Sequence, residues 1–578
     1  MKIALLSNIN MDLMVPRFEE CLKDIGINGD LYVSGFNQYM QEMINPDSVL
    51  NKGDFDIAVI FLDGEEIFQN VIREPFAYKD KDIELIIDSE INNLSLQLGN
   101  VIRSNRKLTF FINNIFIRRP SILGALDYNT EFGPAVLQER FNSKIRHLRS
   151  SERVVIIDFA ALVSRYGYET IYDNRLWYLG RIKFSSQGLL HISKLLSSYI
   201  QAYLGKSKKA LILDLDNTLW GGIVGEDGIE GIKLGTEGIG RAYYDFQELI
   251  KALKHKGILI SVCSKNNLAD VKEVFEENEF MKLEERDFVA FKVNWESKTK
   301  NIREIAADLN LGLDSFVFVD DNPFEREMVR SELPQVVVPD FPKDPANLTQ
   351  WMIDLSCQYF NNITITNEDK LRTEIYHASA ERKELERSAS TSEDFYKSLE
   401  MTAVMKINSQ ADFKRIAQLS QRTNQFNLTS RRYTENEVLD FMNSRDWMVF
   451  GLELTDRFGP NGIIGVINVR INGADARIDT FLLSCRVIGR TVEDFFVYHV
   501  IEELRERGVK KVFGEYIPTK KNSVVKDMYK KLKFKLLEES VDGSNLWELD
   551  LSETIIEKNT WIKRQLSIMQ EVIVGTHP

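Results

Sequence analysis

The stretch KALILDLDNTLW (Lys209–Trp220) decides how the middle of this chain is read. Its four apolar residues, Ala210 to Leu213, have the composition of a short buried strand. Such a strand delivers Asp214 to the carboxyl end of a sheet, where the sites of open α/β folds lie. Asp216 follows two residues on, so its side chain can return to the same site as the chain turns, and the Thr218 hydroxyl can brace that loop. Alone, a DxDxT string also reads as a capped turn with solvated carboxylates. Three later strings point the other way. ILISVCS ends an apolar run in Ser264, NWESK supplies Lys298, and SFVFVDD ends another run in Asp320 and Asp321.

Bulk properties bound the rest. A chain of 578 residues exceeds the roughly 250–300 that one core supports, so several domains are expected. Hydrophobic residues make up 44%, with 34 Phe and 19 Tyr, which excludes a disordered chain. A formal charge of −13 argues against a dedicated nucleic-acid binder. Cys21, Cys263, Cys357 and Cys485 are scattered, with no CxxC pair; that argues against a zinc site and for free thiols in a reducing compartment. The opening MKIALLSNINMDLM reads as a first strand rather than a signal peptide. No apolar run reaches the roughly 18 residues of a membrane span. A cytoplasmic enzyme with no membrane partner is the expectation.

Along the chain, residues 1–205 alternate apolar runs (IALLS, DIAVIFLD, KLTFFINN, RVVIIDF) with amphipathic stretches, the pattern of a doubly wound α/β domain. A second α/β series covers 206–350. Residues 351–396, including the charge-rich EIYHASAERKELERSAS, read as a helical linker with a solvated connecting helix. From 397 to 552, WMVFGLELTD, NGIIGVINVRI and ARIDTFLLSC alternate with turn signals and precede the helix TVEDFFVYHVIEELRERG, which makes an α+β domain. Residues 553–578 are left as a C-terminal tail.

In order and spacing, the Asp214, Ser264, Lys298 and Asp320 strings resemble the four motifs of the haloacid dehalogenase (HAD) superfamily, over roughly residues 208–345. The resemblance implies a Rossmann-like fold in which Asp214 attacks phosphorus and Asp216 protonates the leaving oxygen and later activates water. It implies that Ser264 and Lys298 bind phosphoryl oxygens. It further implies Mg2+ held by Asp214, Asp320 and the backbone carbonyl of Asp216, with Asp321 ligating directly or through water. Only about 45 Gly-rich residues separate the first two motifs, so the cap is minimal and a large or presented substrate is favoured.

DLDNTLWGGIVGEDG, CSKNN, VNWESKTKNI and FVDDNPFEREMV together resemble the FkbH-like branch, subfamily IIIC. TNQFNLTSRRYTENEV, DRFGPNGIIGV and FLLSCRVIGRTVE extend the likeness to about residue 545. That branch implies transfer of a glyceryl group from 1,3-bisphosphoglycerate, or a related acyl phosphate, to the phosphopantetheine thiol of an acyl carrier protein, with dephosphorylation, for polyketide-type biosynthesis. Cys485, followed by Arg486, is the candidate for a transient thioester, and small buried packing is its plain alternative. Cys263, next to Ser264 on a strand, points to the opposite face and is expected in the core.

RVIGRTVEDFF resembles the coenzyme A turn of the GCN5-related N-acetyltransferase (GNAT) fold; Arg486, Gly489 and Arg490 are its candidate cofactor-binding residues, and Thr491 replaces the small final residue. The locally basic KKVFGEYIPTKKNSVVKDMYKKLKFK is a candidate surface for an acidic carrier. The N-terminal domain resembles an SGNH-hydrolase fold, with Ser7 at the nucleophile's place and Asn113 or Asn114 ending another strand. The expected DxxH is missing, since Gly188 stands where an Asp would precede His191. A structural or docking role is expected there, with His191 as packing. The rival functions are a phosphatase of a soluble ester with the other domains as scaffold, a transferase of another acyl group, and a non-catalytic assembly protein.

Overall fold

A computed structural model of the protein describes residues 1–105, 107–150, 153–552 and 561–565. The chain divides into two compact units, Met1–Tyr203 and Leu204–Pro578. Among the described residues no helix is long and apolar enough to cross a membrane.

The first unit is built on five parallel strands: β1 (Lys2–Ser7), β2 (Asp30–Val33), β3 (Ile57–Phe61), β4 (Thr109–Asn113) and β5 (Val154–Ile157). Their order is 2-1-3-4-5, that of a flavodoxin-like doubly wound sheet. IAVIF and TFFIN are buried at every position because helices cover both faces. The helix Asp80–Ser104 buries Ile83, Ile87, Ile91, Leu94, Leu98 and Val101, a spacing of three and four that keeps one stripe on the core. Ser7 Oγ is buried and donates to the Phe61 carbonyl at 2.7 Å. Asn113 is spent on Leu62 and Asn114, and His191 stacks on Tyr166 at 3.7 Å. Among the described residues Ser7 has no histidine partner to act as its base.

The second unit holds two sheets. The first comprises β6 (Ala210–Leu213), β7 (Leu259–Ser264), β8 (Phe288–Val293) and β9 (Phe316–Val319), all parallel in the order 8-7-6-9. The 45-residue path from β6 to β7 contains the short helix Val224–Gly231 and the core-packing helix Gly240–His255. The second sheet comprises β10 (Thr402–Ile407), β11 (Trp447–Asp456), β12 (Gly459–Asn472), β13 (Asp475–Leu483), β14 (Lys511–Tyr516), β15 (Lys535–Glu539), β16 (Asn545–Asp550) and β17 (Lys563–Gln565), in the order 15-16-14-13-12-11-10-17.

Two boundaries differ from the sequence reading. Residues 351–396 are no solvated linker. The helix Leu348–Tyr359 buries Leu348, Met352 and Leu355 in the same core as β6 and the helix Gly240–His255. The helix Arg372–Ser388 buries Tyr376 beside Ala210, Ile212 and Phe316, and it buries Arg382 outright. Charge density hid these positions, because the buried charge is paired. Residues 561–565 also depart from the expected tail, since Lys563–Gln565 adds a parallel strand to β10; residues 553–560 and 566–578 lie outside the described residues.

The parallel pair β13 and β14 is joined only from Asp475–Ile478 to Lys511–Gly514, after which the strands part. The gap is filled from within. Leu428 N donates to Phe481 O, Leu483 N to Phe426 O, and Ile517 N to Leu428 O, so residues 426–428 bridge the two strands. Asn522 Nδ2 clamps the insert through Asn427 O at 2.9 Å.

Candidate active site

Each of β6, β7 and β9 ends in one of the polar strings, and parallel register brings those ends together. Leu213 pairs with Val262 and Val319, so Asp214, Ser264 and Asp320 leave the same edge of the sheet. Lys298 enters from the first turn of the helix Lys298–Asp308, which Ser297 caps by accepting from Lys300 N. Its buried ammonium lies 2.9 Å from Asp214 Oδ2 and 2.5 Å from Asp320 Oδ2.

Oxygens of Asp214, Asp320 and Asp321 all lie within 4.8 Å of one another. Three carboxylates against one lysine leave excess negative charge in a largely buried place. Burial, with the Asp214 charge next, pushes both Asp320 and Asp321 up to about 6. Asp214 Oδ1 is buried without a hydrogen-bond partner. An all-oxygen set with an orphaned carboxylate oxygen fits a hard divalent cation.

Asp216 is turned to a different task. Its Oδ1 accepts from Trp220 Nε1 at 2.9 Å and from Val224 N at 3.1 Å, and its Oδ2 accepts from Asn266 Nδ2 at 2.8 Å. Burial raises its pKa against those hydrogen bonds, which suits a group that must hold a proton to deliver. Its carboxylate is not part of the three-carboxylate cluster, so any share in metal binding falls to its backbone carbonyl.

Several supporting groups escaped the sequence reading. The loop after Asp214 is braced by Asn217, which adopts a left-handed φ of 52° and accepts from Gly222 N at 2.9 Å; the Thr218 hydroxyl expected there is buried without a partner. Asn266 and Trp220 hold Asp216, and Arg326 Nη1 donates to the carbonyls of Asp320 and Asp321 at 2.8 and 2.6 Å. Asn217 and Trp220 lie in KALILDLDNTLW, Asn266 in CSKNN and Arg326 in FVDDNPFEREMV, strings that the sequence reading quoted without giving these four residues a role. Cys263 is in the core, with its thiol pushed up to about 12 chiefly by burial, which leaves no thiolate near neutrality.

Ser484 follows β13, and Cys485–Val487 form a single 3-10 turn before the helix Val492–Glu506. Cys485 is partly exposed and lines, with Arg486, a cavity of about 410 Å3 whose lining includes no residue of the Asp214 cluster. Gly489 has a φ of 84° and its carbonyl accepts from Tyr396. Arg490 is a correction to the expected cofactor turn. Its buried guanidinium is committed to Asp456 Oδ2 at 3.3 Å and to the Arg486 carbonyl at 2.6 Å, so it faces the protein interior.

The carboxylate–lysine centre at the edge of a parallel sheet defines an α/β protein of the phosphatase class. In solved structures the chain is similar to the N-terminal part of the protein BF1531 from Bacteroides fragilis, which contains a phosphatase domain and is complexed with Mg. The two are 32% identical with a TM-score of 0.58, over 63% of this chain and 95% of that one. The chain belongs to the family of that phosphatase-domain protein. It is also similar to the ribosomal-protein-S18-alanine N-acetyltransferase from Escherichia coli, at 14% identity and a TM-score of 0.21, over 27% of this chain and 99% of that one. No family model matches the chain, and no curated protein matches it.

Proposed function

We propose that the chain is a Mg2+-dependent phosphoryl-transfer enzyme of the HAD type. The observation that carries this reading is the buried Asp214 carboxylate, gripped by Lys298 on one oxygen and left without a partner on the other. Asp214 attacks phosphorus while the bond to the leaving oxygen breaks and Asp216 gives that oxygen its proton. Asp216 then takes a proton from water, whose oxygen attacks the aspartyl phosphate, releasing orthophosphate and restoring Asp214. Lys298 and Ser264 hold the phosphoryl oxygens. Asp214, Asp320 and Asp321 would hold Mg2+, which when bound would supply positive charge against the phosphoryl group. Chelation reduces phosphate release from a generic phosphate monoester to background, and added Mg2+ restores it; full turnover in metal-free protein would falsify the site.

The finer reading is glyceryl transfer from 1,3-bisphosphoglycerate to a carrier-protein phosphopantetheine thiol. The carrier thiolate, or first Cys485, attacks the acyl carbon and expels phosphate, and the Asp214 centre removes the remaining phosphate ester. Two features support it: the parting of β13 from β14, as in GNAT-like domains, and the place of Cys485 on a cavity just past β13. The internal filling of that gap by residues 426–428 favours instead a phosphatase of a soluble ester, with the C-terminal sheet as scaffold. Intact-mass analysis of a carrier protein incubated with the enzyme, Mg2+ and 1,3-bisphosphoglycerate separates the two: a glyceryl shift supports transfer, and phosphate release without a shift supports the scaffold. In the transfer reading, Cys485→Ser stops loading of the carrier yet still hydrolyses a small generic ester. Loading at the wild-type rate would reduce Cys485 to packing.

A further inference from the structure

The cavity beside Cys485 has an unusual charge content. Five cations reach it from four places in the chain: Lys209, Arg372, Arg415 and Arg422 of one helix, and Arg486. Glu368 and Asp369 face them from one helical turn, and Lys520 and Lys521 stand at the rim with Asp314, which takes Lys521 at 2.9 Å.

The pairing is incomplete. Arg422 holds Asp369 at 3.1 Å, but that carboxylate also accepts from Thr366 and from Gln418. Arg415 approaches Glu368 only at 3.9 Å, and its Nε is buried with no hydrogen-bond partner. Arg486 Nε donates to the Ser484 hydroxyl, Arg372 to the Gly257 carbonyl, and Lys209 to the Arg422 carbonyl. Among the described residues none of these last three forms an ion pair with a carboxylate. The shortage is local, since the chain carries 86 acidic residues against 73 basic ones. Cations crowded in a partly buried recess with too few counter-ions destabilise one another. Burial and the neighbouring guanidinium groups hold Lys209 down to about 8, and burial with the Arg486 charge holds Arg415 down to about 9. A recess of this kind is completed by an anion from solution, and planar guanidinium groups match phosphoryl oxygens in particular.

We propose that this cavity is a second anion site, distinct from the Asp214 centre, that binds a small phosphorylated molecule carrying three or more negative charges. Three unpaired cations and one weakly paired arginine exceed what a single orthophosphate neutralises, which sets the charge. The inference stands on the cavity's own charges and is independent of the glyceryl reading.

The test is calorimetric titration of the full chain with pyrophosphate and with orthophosphate in Mg2+-free buffer, where the carboxylates at Asp214 repel both. The expected result is saturable pyrophosphate binding, at least tenfold tighter than orthophosphate, that weakens at least tenfold in Arg415→Met and in Arg486→Met. Both variants delete a partly buried, poorly paired charge, so circular dichroism and melting serve to confirm their fold. A second measurement uses the unaltered chain: pyrophosphate slows alkylation of Cys485 but not of the exposed Cys357. Absence of pyrophosphate binding, equal affinity for both anions, affinity unchanged in the two variants, or unprotected Cys485 would each overturn the proposal. If either variant fails to fold, the alkylation result alone decides.

Discussion

Asp214→Asn releases phosphate from a generic monoester at least about a thousandfold more slowly than the wild-type chain, because it removes the nucleophile itself. The fold survives. The substitution is nearly isosteric, and Lys298 keeps Asp320 at 2.5 Å. It also takes one negative charge from a cluster in which Asp214 helps to push Asp320 and Asp321 up to about 6. Both carboxyls therefore titrate lower in the variant, which carbon-detected NMR of the two side chains reads directly. Loss of turnover with that downward shift supports the assignment. Phosphate release above a few per cent of wild type, in protein free of wild-type enzyme, would sink it. A damaged fold would show as a lower melting temperature, and the NMR shift would then be uninterpretable in favour of the site.

The site was legible because its residues come at the ends of short apolar runs. Ala210–Leu213, Leu259–Ser264 and Phe316–Val319 are each buried on both faces, so each reads as a continuous hydrophobic stretch that stops at a polar group. Parallel register then aligns those stops without further information. What holds them was not legible. Asn266 reaches Asp216 across 50 residues and Arg326 bridges two carbonyls, contacts that leave no periodic trace. The basic cavity is harder still. Its cations lie just before β6, on two helices and on the turn after β13, and each looks like an ordinary surface charge in its own stretch. Likewise the insert at 426–428 is read easily as a loop, and only Phe481 and Ile517 make it part of the sheet. The charge-rich helix after 370 misled for a related reason. Its apolar residues are few because a buried salt-bridged arginine takes the place of a core side chain.

That arginine gives the largest expected effect on stability. Arg382 meets Asp456 with two hydrogen bonds, Nε at 2.7 Å and Nη2 at 2.8 Å, and both side chains are buried. Arg490 adds a third contact to Asp456 at 3.3 Å, while Phe458 N and the Asn461 amide fill its remaining lone pairs. One carboxylate thus satisfies two buried guanidinium groups, one from the helix Arg372–Ser388 and one from the turn that follows β13. Asp456→Asn keeps the shape but removes the one negative charge that, among the described residues, is ion-paired with either arginine, and its amide nitrogen confronts donors. Breaking a buried pair from one side costs about 3–5 kcal/mol, because the uncompensated partner stays out of water. Urea denaturation of Asp456→Asn is expected to show a loss of that size, with the Mg2+-dependent phosphatase still active under native conditions since no residue of the Asp214 cluster is touched. Adding Arg382→Met recovers part of the loss, as one of the two orphaned cations is replaced by apolar volume. A destabilisation below about 1 kcal/mol would place the pair among exposed ion pairs in energetic terms and contradict its burial.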